Sequence, residues 1–246
     1  MKRTLFLLAA LFFLLFGAQA EQVWEEFPIL PGESVWASSI LRENLSSGWV
    51  SYPPENLFDK KPSTAWVEGV DGYGEGEYVR FILDRPVVSV TLTNGFARSE
   101  RLYRLNSRPQ RIDLDLMIGF TAPGLISETD AELYFLTELG KSQRIWVDDT
   151  LDPQSFSLAL SPEEQTTLQD EACAAFFKEY SFFADEICAD LGFDPYSSLT
   201  EEERQEVRAL TLTAYAHTFM GLTIDEVYPG DRYRDTCISE CELLFE

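Results

Sequence analysis

Apolar residues recur with a period of two through the first part of the chain and with a helical period later on. In "RIDLDLMI" Ile112, Leu114, Leu116 and Ile118 alternate with other residues, so one face of a strand is buried. Further strand-like runs cover 77–84, 87–95, 111–120, 131–139, 144–149 and 155–160, punctuated at short intervals by Pro, Gly and Asn. This pattern predicts an all-β fold, sandwich or barrel. At Ser161 the period changes. "SPEE" places Ser161 at an N-cap, Pro162 at the first helical position and Glu164 where it closes a capping box. "TEEER" repeats the signal with Thr200 and Glu203, followed by Val207, Leu210 and Ala214 at helical spacing. The helical pattern runs to about Met220, and "YRDTCISECELLFE" then returns to strand character. An isolated terminal strand needs a sheet, so the helices read as an insertion at about 161–222, before the last strand of one domain spanning 21–246. A surface insertion costs little loop entropy, which predicts that a short polar linker can replace it. Against that, Phe176, Phe177, Tyr180, Phe182 and Phe183 need a surface to cover.

The first twenty residues belong to a different pattern. Lys2 and Arg3 precede an apolar run from Leu5 to Phe16, and Ala18-Gln19-Ala20 precedes Glu21. These are the parts of a secretory signal peptide, and the run is shorter than the ~20 residues a membrane span needs. The expectation is a soluble exported protein without a transmembrane anchor, periplasmic or secreted, with the mature chain starting at Glu21.

Charge narrows the partners. Mature, the chain sets 17 basic residues against 42 acidic ones, a net charge of −25. Such a surface repels nucleic acid and anionic lipid. The four cysteines, Cys173, Cys188, Cys237 and Cys241, are an even count in an exported chain. On a strand, Cys237 and Cys241 stand ~13 Å apart, too far for the ~7 Å reach of a disulfide. A Cys173–Cys188 bridge between two helices is one expectation, and free buried thiols are the other. With one histidine, His217, and no CxxC, zinc is disfavoured.

The stretch "WVEGVDGYGEGEYVRF" at 66–81 concentrates glycines and carboxylates. It lacks the spacing of a dinucleotide loop, and Glu75 and Glu77 repel phosphate. Glu68 with Asp71 or Glu77 would make a glycosidase-like acid pair, but spacing in a glycine-rich loop does not fix carboxylate separation. His217 sits in a helical pattern, without the partners of a nucleophilic triad. No motif demands an enzyme.

"ASSIL…NLFDKKPSTAWVEGVDGYGEGEYVRFIL", "VTLTNGFARSERLYRLNSRPQRIDL" and "YRDTCISECEL" together resemble the discoidin-like domains, also called coagulation-factor type C or galactose-binding-like. Within that superfamily the chain looks most like the type C domain attached to bacterial NAD-glycohydrolase toxins, where it serves translocation. The likeness covers about residues 35–118 and 228–245, and the toxin's catalytic domain has no counterpart, so no NADase activity is implied. The resemblance implies a jelly-roll β-sandwich that binds a ligand, usually a glycan, through loops at one end. It also implies a structural calcium ion, for which the matching positions are Asp59, Thr64 and Glu240. Lys60 and Lys61 replace the usual glycine and acid after the aspartate, which suits an ion only if the Lys61 carbonyl alone points inward.

On that reading the binding face lies where "WVEG" meets "NGFARSERLYRLNSR". Trp66 either stacks on a sugar or sits in the core. Asn94 and Asn106 offer amides, Tyr103 a stacking face, Arg108 donors and Glu68 an acceptor. Arg98, Arg101, Arg104, Arg108 and Arg111 form a basic strip on an acidic chain. The strip either pairs internally with Glu68, Asp71 or Glu77 or binds an acidic sugar or carboxylate. The expected protein is a non-enzymatic exported glycan binder. Its alternatives are a structural or assembly module that docks a protein through the helical insert, and a glycoside hydrolase.

Overall fold

The computed structural model describes residues 22–246, so the expected leader at 1–20 lies outside the described residues. The chain runs β1 (Glu25–Ile29), β2 (Val35–Ala37), β3 (Arg42–Leu45), β4 (Gly48–Ser51), a 3-10 turn (Pro54–Phe58), β5 (Trp66–Val67), β6 (Tyr78–Leu83) and β7 (Val87–Asn94). It continues with α1 (Glu100–Leu105), β8 (Arg108–Phe120), β9 (Glu132–Glu138), β10 (Gln143–Trp146) and β11 (Gln154–Ser157). Three helices follow, α2 (Pro162–Glu179), α3 (Ser181–Leu191) and α4 (Glu201–Ala214), then β12 (Ala216–Tyr228) and β13 (Cys237–Phe245).

Period-two burial builds two facing sheets. Along β6, Val79, Phe81 and Leu83 are buried while Tyr78, Arg80 and Ile82 are only partly so, as a strand with one face on a core requires. The larger sheet orders its strands β1-β9-β8-β12-β6-β2, with β10 also paired to β8, and the smaller one β11-β7-β13-β5. Every paired strand in them is antiparallel. Val79, Phe81, Ile112 and Leu114 of the larger sheet share one apolar core with Val90, Leu92 and Ile238 of the smaller. The result is the expected all-β sandwich with a helical insertion.

Two features differ from the sequence reading. The helices end at Ala214, not near 222, and residues 216–228 form β12, flanked by β8 and β6 in the larger sheet. The insertion therefore precedes the last two strands. Phe219 through Leu222 are buried without interruption, and a short apolar run covered on both faces does not distinguish strand from helix by period. His217 consequently lies on a strand, its ring stacked 5.3 Å from that of Tyr134.

The second difference concerns what the helices cover. Both expected capping boxes form, at Ser161/Glu164 and Thr200/Glu203. Phe176 of α2 stacks on Phe120 of β8 with ring centres 5.0 Å apart, and Trp24 packs edge-on to both. Phe176, Phe177, Ile187 and Val207 belong to the same apolar core as the sheets. The helical block thus shares the sandwich's own apolar core. All four cysteines are free and buried, so the expected Cys173–Cys188 bridge is replaced by its alternative.

Candidate functional site

The loops at one end of the sandwich are organised by α1 and the glycine before it. Ser99 caps α1 by accepting from the Leu102 amide at 3.2 Å, and the helix buries Tyr103 on its inner side. Gly95 has φ +66, and a Cβ there would fall 2.5 Å from Cδ2 of Tyr103. Only glycine lets the backbone adopt this conformation and the phenol ring approach so closely.

Tyr103 and Arg108 converge on Asp149, in the loop after β10. The Tyr103 hydroxyl donates to Asp149 Oδ1 at 2.8 Å. Arg108 donates through Nε to Oδ1 and through Nη2 to Oδ2, both at 2.6 Å, a two-pronged fit of guanidinium to carboxylate. The guanidinium also lies 4.7 Å from the centre of the Tyr103 ring and 5.7 Å from that of Tyr228. Hydrogen bonding from Arg108 holds the Asp149 carboxyl below its ordinary range, while burial and then the bond to Asp149 push the Tyr103 phenol up. Asp149 is charged and Tyr103 neutral at physiological pH.

This triad floors a cleft of about 610 Å³ whose rim carries Arg104, Thr150, Asp152 and Asp231. The volume is in the range of small-molecule sites. Its walls are fixed from behind: the amides of Asp231, Arg232 and Tyr233 bond to carbonyls of Arg104 and Leu105 at 2.8–3.2 Å.

Of the sequence-predicted ligand residues, Tyr103 and Arg108 line this cleft and the other four are spent elsewhere. Trp66 is fully buried, its indole N–H bonded to the Ser39 carbonyl at 3.1 Å, which selects the core reading. Glu68 is also fully buried. Its two oxygens accept from the backbone amides of Thr236 and Val70 at 3.0 and 2.8 Å, and burial raises its carboxyl. Asn94 donates to the Pro109 carbonyl at 2.9 Å and accepts from the Gly95 amide. Asn106 closes α1 by donating to the Leu102 carbonyl at 2.8 Å.

Three of the strip's five arginines pair internally, with other acids than Glu68, Asp71 or Glu77, while Arg98 and Arg101 make no ion pair among the described residues. Arg104 bonds Glu100 at 2.6 Å, Arg108 takes Asp149, and Arg111 reaches Asp225 and Glu226 across β12. Asp149, missed from sequence, lies 41 residues from Arg108, and an aspartate after a strand looks like any turn residue.

A second cluster joins the loop after the 3-10 turn to β13. A bulge between Ile238 and Glu240 interrupts the pairing of β13 with β7, and Glu240 is buried with Oε1 lacking any hydrogen-bond partner. Burial, followed by the charge of Asp59, raises the Glu240 carboxyl. Thr64 Oγ1 lies 2.9 Å from Asp59 Oδ2 and 2.8 Å from the Lys61 carbonyl oxygen. The side chains of Lys60 and Lys61 are exposed. Among the described residues no group of three His, Cys, Asp or Glu side chains forms a metal site. A cation here would draw on two carboxylates, one hydroxyl and a carbonyl, all oxygen donors of the kind calcium takes.

The model of the NAD glycohydrolase translocation F5/8 type C domain matches residues 32–161 of the chain. No curated protein matches. Among solved structures, a Ruminococcus gnavus GH29 fucosidase in complex with fucose aligns at 10% identity and a TM-score of 0.27, covering 86% of this chain and 25% of its own. A mutant of that fucosidase, also with fucose, aligns at 9% identity and the same TM-score. This chain spans about a quarter of either fucosidase.

Proposed function

Because the chain belongs to the family of NAD glycohydrolase translocation F5/8 type C domains, we propose that it is an exported, non-enzymatic binding module that takes a glycan in the cleft floored by Tyr103, Arg108 and Asp149. The observation that carries this reading is the cleft: a locked charged floor under a rim of hydroxyl and carboxylate groups. Rigid polar groups that match sugar hydroxyls lose little freedom on binding. The acids of a glycosidase are poorly served, since both Glu68 oxygens are engaged by backbone amides. Phe176, Phe177, Tyr180 and Phe183 of the helices pack on the sandwich core and leave only Phe182 of that set exposed, which favours glycan binding over an assembly module docking through them.

Asp59, Thr64, Glu240 and the Lys61 carbonyl would hold a structural calcium ion. When bound, the ion would give the orphaned Glu240 oxygen a partner and join the early loop to β13 across the chain.

A printed glycan array probed with the mature protein tests the reading. Thr150→Ala and Asp231→Ala, on the cleft rim, should weaken binding at least about tenfold with unchanged melting temperature. Binding that ignores both substitutions places the site elsewhere. Silence across the array, with capture of a protein partner through the helices, supports the assembly module instead.

A further inference from the structure

Arginines without a partner gather beside the cleft. Arg101, Arg232 and Arg234 are exposed, and their guanidiniums make no ion pair and no hydrogen bond among the described residues. Arg104 is exposed as well and bonds Glu100 through Nη2, which leaves its Nε and Nη1 protons unused. A chain of net charge −23 has carboxylates enough to pair all four, so their freedom is a matter of where the fold puts them.

The backbone brings them to one place. Arg101 and Arg104 stand three residues apart on α1, on its exposed side, where Cβ atoms lie about 5 to 6 Å from each other. Residues 230–235 run against the end of that helix: the Arg104 carbonyl accepts from the Asp231 amide at 2.9 Å, and the Leu105 carbonyl from the amides of Arg232 and Tyr233 at 3.2 and 2.8 Å. Ser107 Oγ fastens the same segment twice more, accepting from the Gly230 amide at 3.0 Å and donating to the Tyr233 carbonyl at 3.1 Å. Glycine makes the approach possible, since a Cβ at Gly230 would fall 2.4 Å from the Asn106 carbonyl carbon. Two of the guanidiniums are also laid on aromatic rings, Arg232 at 5.1 Å from the centre of Tyr233 and Arg234 at 5.7 Å from that of Tyr73. Stacking uses the flat face of a guanidinium and leaves the N–H donors in its plane free for an oxyanion. Asp231 and Asp235 flank these arginines in sequence and pair with neither.

Resting on the reading of the adjoining cleft as a glycan site, we propose that Arg101, Arg104 and Arg232, with Arg234 beyond them, take the oxyanions of a short acidic oligosaccharide. Its neutral part lies in the cleft, which Arg104 and Asp231 also line. Guanidinium forks suit carboxylate and sulfate groups alike. The excess negative charge of the rest of the chain sets the size of the ligand. An anionic membrane or a nucleic acid reaches past the arginines to surfaces that repel it, whereas a short oligosaccharide stays within about a Debye length, ~8 Å, of them.

The test titrates the mature protein calorimetrically with sialyllactose, trigalacturonate and a chondroitin sulfate tetrasaccharide, with lactose and N-acetylchitotriose as neutral sugars, and with phosphatidylserine-containing vesicles and a short glutamate peptide. At least one acidic oligosaccharide should bind about tenfold or more tightly than either neutral sugar, and added salt should shrink that gap. Arg101→Gln and Arg232→Gln should each narrow it, with melting temperature unchanged to show that the fold is intact. Arg232→Lys, which keeps the charge and loses the fork, should retain part of it. Equal or tighter binding of the neutral sugars, lost in Thr150→Ala, would overturn the acidic preference and leave the glycan site standing. A preference that survives Arg101→Gln and Arg232→Gln together would overturn the proposal, as would vesicles or the glutamate peptide binding more tightly than every sugar. Failure of every sugar to bind removes the glycan site itself.

Discussion

Single residues here differ chiefly in whether their polar atoms have partners. Arg108 is nearly buried and Asp149 is only partly so, which makes the pair asymmetric. Asp149→Ala leaves a guanidinium in a poorly solvated site and frees the Tyr103 hydroxyl, so it should cost about 2 to 3 kcal/mol in urea unfolding. Arg108→Ala leaves a carboxylate that water reaches and should cost less. Equal costs would show that water solvates both sides alike. Glu240 is the opposite case, a buried carboxylate with an orphaned oxygen beside Asp59. With chelator present, Glu240→Gln removes a buried charge and should raise the melting temperature. In millimolar-range calcium the wild type should gain stability by mass action and the variant should not. A calcium response that Glu240→Gln leaves intact would move any ion away from this loop.

Among the elements, α2 is tied to the sheets by one polar side chain as well as by its aromatics. Gln165 is buried and acts as a strand's neighbour would: it accepts from the Val87 amide at 3.1 Å and donates to the Val87 carbonyl at 2.7 Å and the Leu160 carbonyl at 3.0 Å. Gln165→Ala should cost about 2 to 3 kcal/mol, because the buried Val87 amide and carbonyl lose the side-chain amide they bond. Replacing residues 161–215 by a linker should abolish cooperative melting, since Phe120 would lose the Phe176 ring stacked on it. A cooperative transition in that deletion would restore the detachable insertion. The strands and both capping boxes were legible because alternation and caps are local signals. Strand β12 was not, since burial on both faces erases its period. At the site the sequence marked Tyr103 and Arg108 but not Asp149, and on α2 it did not mark Gln165. Those two act on residues 41 and 78 positions away, and nothing local marks such a partner.

For the molecule as a whole, the balance of these groups sets how stability follows pH. Burial raises the carboxyls of Glu68, Asp235 and Glu240. A folded acid with a raised pKa binds its proton earlier than the unfolded chain does, so stability rises as pH falls from the folded value toward about 4. Lower pH also relieves the self-repulsion of a chain at −23. His217 works the other way: burial lowers its pKa, and the stability from keeping it neutral is lost as pH falls below about 6.5. Asp149 and Asp225 are held below their ordinary range by hydrogen bonds from Arg108 and Arg111. Their contribution is present above about 4 and lost as pH falls through their folded values. Three raised carboxyls and a shrinking net charge outweigh one histidine. The melting temperature in chelator should therefore rise as pH falls from neutral toward the carboxylate range and drop again below about 4. Glu240→Gln should flatten the climb and leave the acid limb unchanged, because it removes a raised group and none of the lowered ones. A melting temperature that falls steadily from neutral pH downward would instead make His217 the dominant titrating group, and His217→Phe would then remove the slope.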